Sequence, residues 1–273
     1  MKYMHFNSSC SYTALAILLE DKGIETEDVD ISIEIGLPWI FAEKDGIFLS
    51  GPMLQGKEWF DLYLNPKGLC LNEDHIKKEN IPSYLKAHGK CMLGVYVQGN
   101  GGKHAVVFHK YDGQYHFYNP IKDGSDAPTE IVFNETQLLQ ALDDITIVGS
   151  ILECPKSNYD KRKILDQSTL VLRKLYSEIE KFSKSPHSDE EYKEAMDVIF
   201  RAILLDGITM LEISGQNNLA ESFRKIQRDF LAFMKGNKKG ILADTISLEE
   251  LQILVLWYEK LIMEKKNIYE GDL

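Results

Sequence analysis

A cysteine near the start of the chain is the side chain whose setting most suggests chemistry. Cys10 lies in Ser8-Ser9-Cys10-Ser11, directly before an apolar run with helical spacing, so the sequence predicts a helix over residues 9–21. Ser8 or Ser9 can cap this helix, which places Cys10 in its first turn, where the helix dipole favours a thiolate. A small buried cysteine without reactivity fits the same pattern.

His104 is the candidate base for this thiol. It opens a predicted strand at 104–111, and the Asp112-Gly113 turn that follows predicts a hairpin. The returning strand brings Asn119 opposite His104, where its side chain could orient the imidazole. A thiol nucleophile needs a base and a group that orients the base. Taken singly, a histidine at a strand end and an asparagine before Pro120 also have ordinary structural explanations.

Short β-branched runs separated by turn residues place these candidates on a sheet. We expect strands at 91–97, 104–111, 114–120 and 145–152, a turn at 98–103 and a short helix at 137–142. Residues 29–35 fit a strand or a second helix, and residues 36–64 fit a loop with short helices that could form one wall of a groove. The predicted fold class is α+β, with the N-terminal helix packed on an antiparallel sheet.

Long helical periods replace these short runs near Pro155. The sequence therefore predicts two domains, 1–154 and 155–273, of which the second is an all-α helical bundle. The expected helices span roughly 159–184, 189–214, 217–235 and 247–266, with a break at 236–240. Their apolar faces permit a homodimer formed through this domain.

Charge and composition exclude several classes of protein. Residues 1–154 hold 12 Lys and Arg against 22 Asp and Glu, a net charge of −10, whereas residues 155–273 are near neutral, with 19 against 20. Such an acidic domain repels nucleic acid and could suit a cationic substrate. No run is long and apolar enough for a membrane span, and the N-terminus has no signal peptide, so we expect a cytoplasmic protein that does not bind membranes.

The four cysteines show no paired spacing, and no cluster of histidine and cysteine residues suggests zinc. We therefore expect reduced thiols, no metal and no cofactor. Cys70, Cys91 and Cys154 are interpreted as structural residues, because none of them begins a helix near a candidate base.

The order of the three candidates resembles the papain-like cysteine peptidase superfamily and, within it, the C39-like group. There a cysteine opens the central helix, a histidine begins a strand, and an aspartate or asparagine precedes a proline on the next strand. The matching blocks here are Ser9–Ala14, Lys103–Val107 and Phe117–Pro120, within a resemblance that covers roughly residues 1–152.

This resemblance implies a papain-like domain in which Cys10 is the nucleophile, His104 the general base and acid, and Asn119 the orienting residue. Papain-like peptidases usually carry a glutamine for the oxyanion hole six residues before the nucleophile. Met4, which cannot donate a hydrogen bond, stands at that position here. Asn7 is the candidate substitute as oxyanion donor.

A narrower resemblance links Ser8–Gly23 and Ile33–Phe41 to the N-terminal domain of the butirosin-biosynthesis acyltransferase family. That family moves an acyl group from a carrier protein to an amine. Together the resemblances imply a thiol-dependent acyl hydrolase or acyltransferase, acting on a peptide, an acyl-carrier or a small amine substrate. The alternative is a catalytically weak or inactive papain-like binding or regulatory module with a helical interaction domain.

Overall fold

The structure is a computed structural model that describes residues 2–97, 102–234 and 247–271. The helices are α1 (Cys10–Glu20), α2 (Asp28–Ile35), α3 (Lys57–Leu64), α4 (Ile81–His88), α5 (Glu135–Gln140), α6 (Lys161–Ser183), α7 (Asp189–Ala195), α8 (Ile208–Ile213), α9 (Asn217–Met234) and α10 (Leu248–Gly271). The strands are β1 (Phe41–Lys44), β2 (Ile47–Ser50), β3 (Leu69–Lys77), β4 (Cys91–Tyr96), β5 (Lys103–Tyr111), β6 (Tyr115–Tyr118), β7 (Glu130–Phe133) and β8 (Ile145–Glu153). Most of the turn expected at 98–103, and all of the break expected at 236–240, lie outside the described residues.

The chain forms two compact units. The sheet unit comprises Met1–Ile35 and Gln55–Tyr159, and the helical unit comprises Gly36–Leu54 and Asp160–Leu273. This division differs from the boundary expected between residues 154 and 155, mainly because residues 36–54 belong to the helical unit.

The β1–β2 hairpin explains why residues 36–54 join the helices. Phe41 and Phe48 are buried in the core that the helices form, and the ring of Phe41 stacks edge-on against Tyr258 at a centroid distance of 5.0 Å. The hydroxyl of Ser50 donates a hydrogen bond to the main-chain oxygen of Ala202. Of the range 36–64 that was expected to form a groove wall, residues 36–54 therefore belong to the helical unit, whereas Gln55, Gly56 and Phe60 do line a groove.

The sheet unit has the α+β layering that the sequence predicts. Its antiparallel sheet runs in the order β3-β8-β4-β5-β6-β7, and α1 packs against β4, β5 and β8. Side chains from α4 and α5 pack with the sheet in a second apolar cluster that includes Ile81, Leu85 and Leu138. β3 and β7, which the sequence analysis did not predict, are the two edge strands.

The helix that begins at Cys10 is buried along nearly its whole length. Every residue from Tyr12 to Leu19 is buried, and Gly23 adopts the left-handed conformation (φ +71°) just beyond the helix end. Ser9 occupies the N-cap position, but its hydroxyl does not cap the helix. Of the two alternatives for residues 29–35, the structure has the helix, α2.

The helical unit follows the predicted periods, with one interruption. The helix expected at 189–214 contains two π-helical turns, Met196–Phe200 and Ile203–Gly207, between α7 and α8. A side chain on Gly207 would approach the main-chain oxygen of Ala202 to 2.6 Å, so this second turn needs glycine. In the part of the chain that the structure describes, no helix has the length and hydrophobicity needed to cross a bilayer.

Candidate active site around Cys10

Cys10 is the first residue of α1 and is partly exposed, as is Ser11, whereas the helix is buried from Tyr12 to Leu19. The side chain of Ser9, at the N-cap, accepts no hydrogen bond from the first turn of this helix. The positive end of the helix dipole favours the thiolate at this position. The placement predicted from the sequence is thus the one that the structure has.

His104 lies near the start of β5 and contacts the thiol of Cys10. Its Nε2 lies 2.6 Å from the main-chain oxygen of Pro120. A carbonyl oxygen can only accept, so Nε2 carries the proton and Nδ1 is left for the thiol. The contact with Pro120 therefore fixes the tautomer in which His104 can act as a base.

The two side chains shift each other's protonation in the directions of an ion pair. Burial raises the pKa of the Cys10 thiol, but the hydrogen bond and charge of His104, with smaller help from Ala105 and Ser11, bring it below the ordinary value of 9.0. Burial lowers the pKa of His104, but Cys10, the Pro120 carbonyl and Asn119 together raise it above 6.5. The arrangement stabilises a thiolate beside an imidazolium.

Asn119 is buried next to this pair, yet its strongest contact lies elsewhere. Its side-chain amide donates to the main-chain oxygen of Pro128 at 2.7 Å. Its backbone nitrogen donates to the main-chain oxygen of Thr129. Among the described residues no hydrogen-bond partner reaches its buried Oδ1, although its side chain adds a minor share to the raised pKa of His104. In this structure the Pro120 carbonyl holds the imidazole, and Asn119 lies beside it.

The structure places Asn7 and Met4 away from the role of oxyanion donor. The Oδ1 of Asn7 accepts a hydrogen bond from the ammonium group of Lys122, and Asn7 is exposed. Met4 is buried and pairs through its backbone, donating to the main-chain oxygen of Ile121 at 2.8 Å. Neither residue is among those that line the groove at Cys10.

An open groove of about 450 Å³ lies beside Cys10 within the sheet unit. Its apolar surface comes from Phe60, Met92, Ile145 and Ile147, and its polar lining includes Ser11, Gln55, Glu73, Thr146 and the ion pair of Lys103 with Asp143. Ile145 and Ile147 are 59% and 47% exposed, so they offer apolar surface to a ligand rather than to the core.

Gln55 is the functional candidate that the sequence analysis missed. Its Nε2 donates to the main-chain oxygen of Ser8 at 3.0 Å, and its Oε1 accepts from the hydroxyl of Ser11, also at 3.0 Å. Gln55, which lines the groove, thus binds Ser8 before Cys10 and Ser11 after it. No sequence pattern near Gln55 indicates this role, because its partners lie more than 40 positions away in the chain.

A second polar network supports the same segment from inside the protein. The fully buried carboxylate of Asp28 accepts from the hydroxyl of Ser9 at 2.5 Å and from the backbone nitrogen of His5 at 2.9 Å. It also contacts Nδ1 of His5 at 2.5 Å. Ser9 is thus tied to Asp28 instead of capping α1, and the position of Cys10 is fixed by its neighbours.

The other cysteines lie in different environments. Cys91 is buried in β4, where burial raises the pKa of its thiol to about 12. Burial and the neighbouring Cys70 raise the pKa of Cys154. Cys10 is thus the cysteine whose surroundings are shown to lower its thiol pKa.

Comparison of the sequence with known protein families finds no family that matches. Comparison with curated proteins likewise finds no match. The function must therefore be argued from the geometry around Cys10, and the papain-like resemblance stays a prediction.

Proposed function

We propose that this chain is a thiol-dependent acyl hydrolase or acyltransferase with Cys10 as nucleophile and His104 as general base and acid. The observation that carries the proposal is the contact of these two side chains at a helix start beside an open groove. Each shifts the pKa of the other towards thiolate and imidazolium. The resemblance to papain-like, C39-like peptidases supports the same assignment.

The proposed reaction uses an acyl donor such as an amide, ester or thioester. The Cys10 thiolate attacks the acyl carbon, and the negative charge moves to the carbonyl oxygen. When the carbon–leaving-group bond breaks, the His104 imidazolium gives its proton to the leaving group. This leaves the acyl group on Cys10 as a thioester. Neutral His104 then takes a proton from water or an amine, which attacks that thioester and releases the Cys10 thiolate.

The oxyanion of this reaction would face the start of α1. The backbone amide of Cys10 belongs to the first helical turn, where no side chain of Ser9 competes for it. Gln55, which lines the groove and contacts Ser8 and Ser11, supplies a side-chain amide close to the same point. We propose Gln55, in place of Asn7, as the polar side chain that assists there.

The groove surface supports a substrate with an apolar part and a cationic or polar end. Ile145 and Ile147 present exposed apolar surface to an acyl chain or to an apolar peptide side chain. Glu73 lies in the same groove and could attract an amine. An acylated carrier, a small amine or a peptide would therefore be the substrate, as the two resemblances imply.

The test is the detection of a covalent acyl-enzyme by intact-protein mass spectrometry. The full chain is mixed with a small acyl thioester and quenched in acid. We expect a mass gain of one acyl group, located on Cys10 by peptide mapping. Cys10→Ala should abolish this gain, and Cys70→Ser should retain it as the matched control.

Adding a primary amine to the acylated enzyme separates the two reactions. An amide product indicates acyl transfer, and free acid with unchanged rate indicates hydrolysis. The proposal is contradicted if the acyl group is found on another cysteine. It is also contradicted if no adduct forms with any member of a series of thioester, ester and amide donors.

One observation favours the alternative of a catalytically inactive binding module. Nε2 of His104 is bonded to the Pro120 carbonyl, whereas the side chain of Asn119 is bonded to Pro128. If the chain is such a module, Cys10 still reacts quickly with small alkylating agents but forms no acyl-enzyme. The same mass measurement therefore distinguishes the two functions.

A further inference from the structure

A second group of reactive side chains lies on the sheet unit, well away from Cys10 along β5. Within the described residues, His109, His116 and Glu130 offer ligand atoms that all lie within 4.8 Å of one another. His109 stands five positions after His104 on the same strand, a separation of roughly 16 Å at the usual rise per residue. The acyl chemistry proposed above uses none of these side chains.

An irregularity in the β5–β6 pairing helps to create this group. Phe108 pairs with Phe117, but the next pair is Lys110 with His116, so no residue of β6 lies opposite His109 in the strand register. Such a bulge sets two residues opposite one and re-aims their side chains. His109 is brought to His116 and to Glu130 on β7, so each ligand comes from a different strand.

The distances match a coordination cluster. Nε2 of His109 and Nδ1 of His116 each lie 3.0 Å from the same carboxylate oxygen of Glu130. In a tetrahedral zinc site with bonds of about 2.0–2.1 Å, neighbouring ligand atoms are about 3.3 Å apart. The two ring nitrogens lie within 4.8 Å of each other, so all three ligand atoms can face one cation after side-chain adjustment.

The outer contacts orient both imidazoles as metal ligands require. Nε2 of His116 lies 2.8 Å from Oδ1 of Asp112, which leaves Nδ1 as the ring atom whose lone pair a cation can take. The ring of His109 stacks on Tyr118 at a centroid distance of 4.0 Å. The two histidine side chains are only 16% and 13% exposed, whereas Glu130 is 44% exposed and leaves an open side.

From this geometry we infer that His109, His116 and Glu130 bind a divalent transition-metal ion, with Zn²⁺ as the best match, and that Asp112 positions His116. Two imidazoles and one carboxylate form a donor set that zinc accepts, with a fourth position left for water. The ion would join β5, β6 and β7. The sequence analysis expected no metal, because these ligands come together only through the bulge and the sheet register.

The test is calorimetric titration of the full, untagged and EDTA-treated chain with ZnCl₂. We expect one ion per chain with the wild type. His109→Gln or His116→Gln should weaken binding by more than about 100-fold, and Asp112→Asn by about 10- to 100-fold, as outer-shell partners do. His75→Gln removes a histidine of β3 outside the cluster and should leave the affinity unchanged.

Two further measurements keep the result interpretable. Circular dichroism shows whether each variant is folded, and Co²⁺ substitution should give a spectrum without the charge-transfer band of a thiolate ligand. Cys10→Ser should retain zinc binding, so failure of the acyl chemistry and failure of the metal site are distinguishable. Absence of binding by the wild type, binding unaffected by both histidine variants, or loss in the cysteine variant overturns the inference.

Discussion

Replacing His104 with glutamine tests the central contact of the candidate active site. Two opposing influences set the protonation of Cys10: burial raises the pKa of its thiol, and the hydrogen bond and charge of His104 lower it. Glutamine keeps a polar side chain of similar length but cannot become a cation. In the variant, burial should therefore dominate, and the thiol should lose most of its thiolate form at neutral pH.

Two reference thiols set the magnitude. A thiol at the ordinary value of 9.0 is ionised in about 1% of molecules at pH 7. The buried Cys91, with a pKa of about 12, is ionised in about 0.001%. Cys10 in the variant should lie between these limits, because it is buried less completely than Cys91. We expect its alkylation at pH 7 to slow by about 10-fold or more, since the thiolate is the reacting form.

The assay is time-resolved alkylation with iodoacetamide, followed by peptide mass spectrometry that gives a separate rate for each cysteine. In the wild type, Cys10 should react fastest, and its rate should level off at a lower pH than that of an ordinary thiol. In His104→Gln the rate should still rise through pH 9, because the depressed pKa is lost. Cys91 supplies an internal control that stays slow in both proteins, and His75→Gln supplies the matched variant.

The reasoning is refuted by either of two results. One is a wild type in which Cys10 reacts no faster than Cys70 and Cys154. The other is a His104→Gln variant that keeps the wild-type rate and pH profile. Each would show that the imidazole does not control the thiol.

Three further outcomes are expected. Asn119→Ala should lower the kcat of acyl turnover by up to about 100-fold with little change in KM, because it removes the hydrogen bond to Pro128 beside Pro120, whose carbonyl holds His104. Steady-state kinetics with Asn119→Asp as comparison checks this, and an unchanged kcat or a KM raised by the same factor contradicts it. Asp28→Ala should lower the free energy of unfolding by about 2–4 kcal/mol, because it removes the buried acceptor of Ser9. Urea unfolding measures this, with the exposed Asp123→Ala as control, and equal stability of the two variants contradicts it. The homodimer expected through the helical unit should appear in light scattering of the intact chain, and a monomer at every concentration contradicts it.

Local pattern was sufficient for α1 and for four of the six strands of the main sheet. Three of the predicted features depend on residues close in sequence. They are the apolar spacing after Cys10, the strand β4 and the turn at Asp112-Gly113. The same patterns predicted the long helices after residue 160. That His104 approaches Cys10 was predicted from the order of the candidate residues and from their resemblance to papain-like peptidases.

Longer-range contacts were beyond such reasoning. β3 and β7 are edge strands whose polar residues hide the alternation of a buried strand. The insertion of residues 36–54 into the helical unit depends on packing against Tyr258, far along the chain. The bulge at His109 changes the register of one hairpin, and nothing in the local composition requires it.

The residues of the candidate site also differ in whether local sequence pattern could predict them. The positions of Cys10 and His104 could be predicted, because each lies at or next to the start of a regular element, and their roles as nucleophile and base stay predictions. Gln55 and Asp28 could not, because they reach Ser8, Ser11 and Ser9 across loops. Asn119 was predicted as the holder of the imidazole, and the structure gives Nε2 to the Pro120 carbonyl, one residue further on.

The polar groups around the N-terminus of α1 agree with the role proposed for Cys10. Burying the carboxylate of Asp28 is costly unless hydrogen bonds offset it, and here they are directed at the residues just before Cys10. Gln55 spans the same residues from the groove side. Cys91, which serves packing alone, lies in an apolar strand and has a raised thiol pKa. A chain that only needed a small apolar residue at position 10 would gain stability from surroundings like those of Cys91. Under the proposed function, this polar support holds the thiol in place for reaction at the open groove.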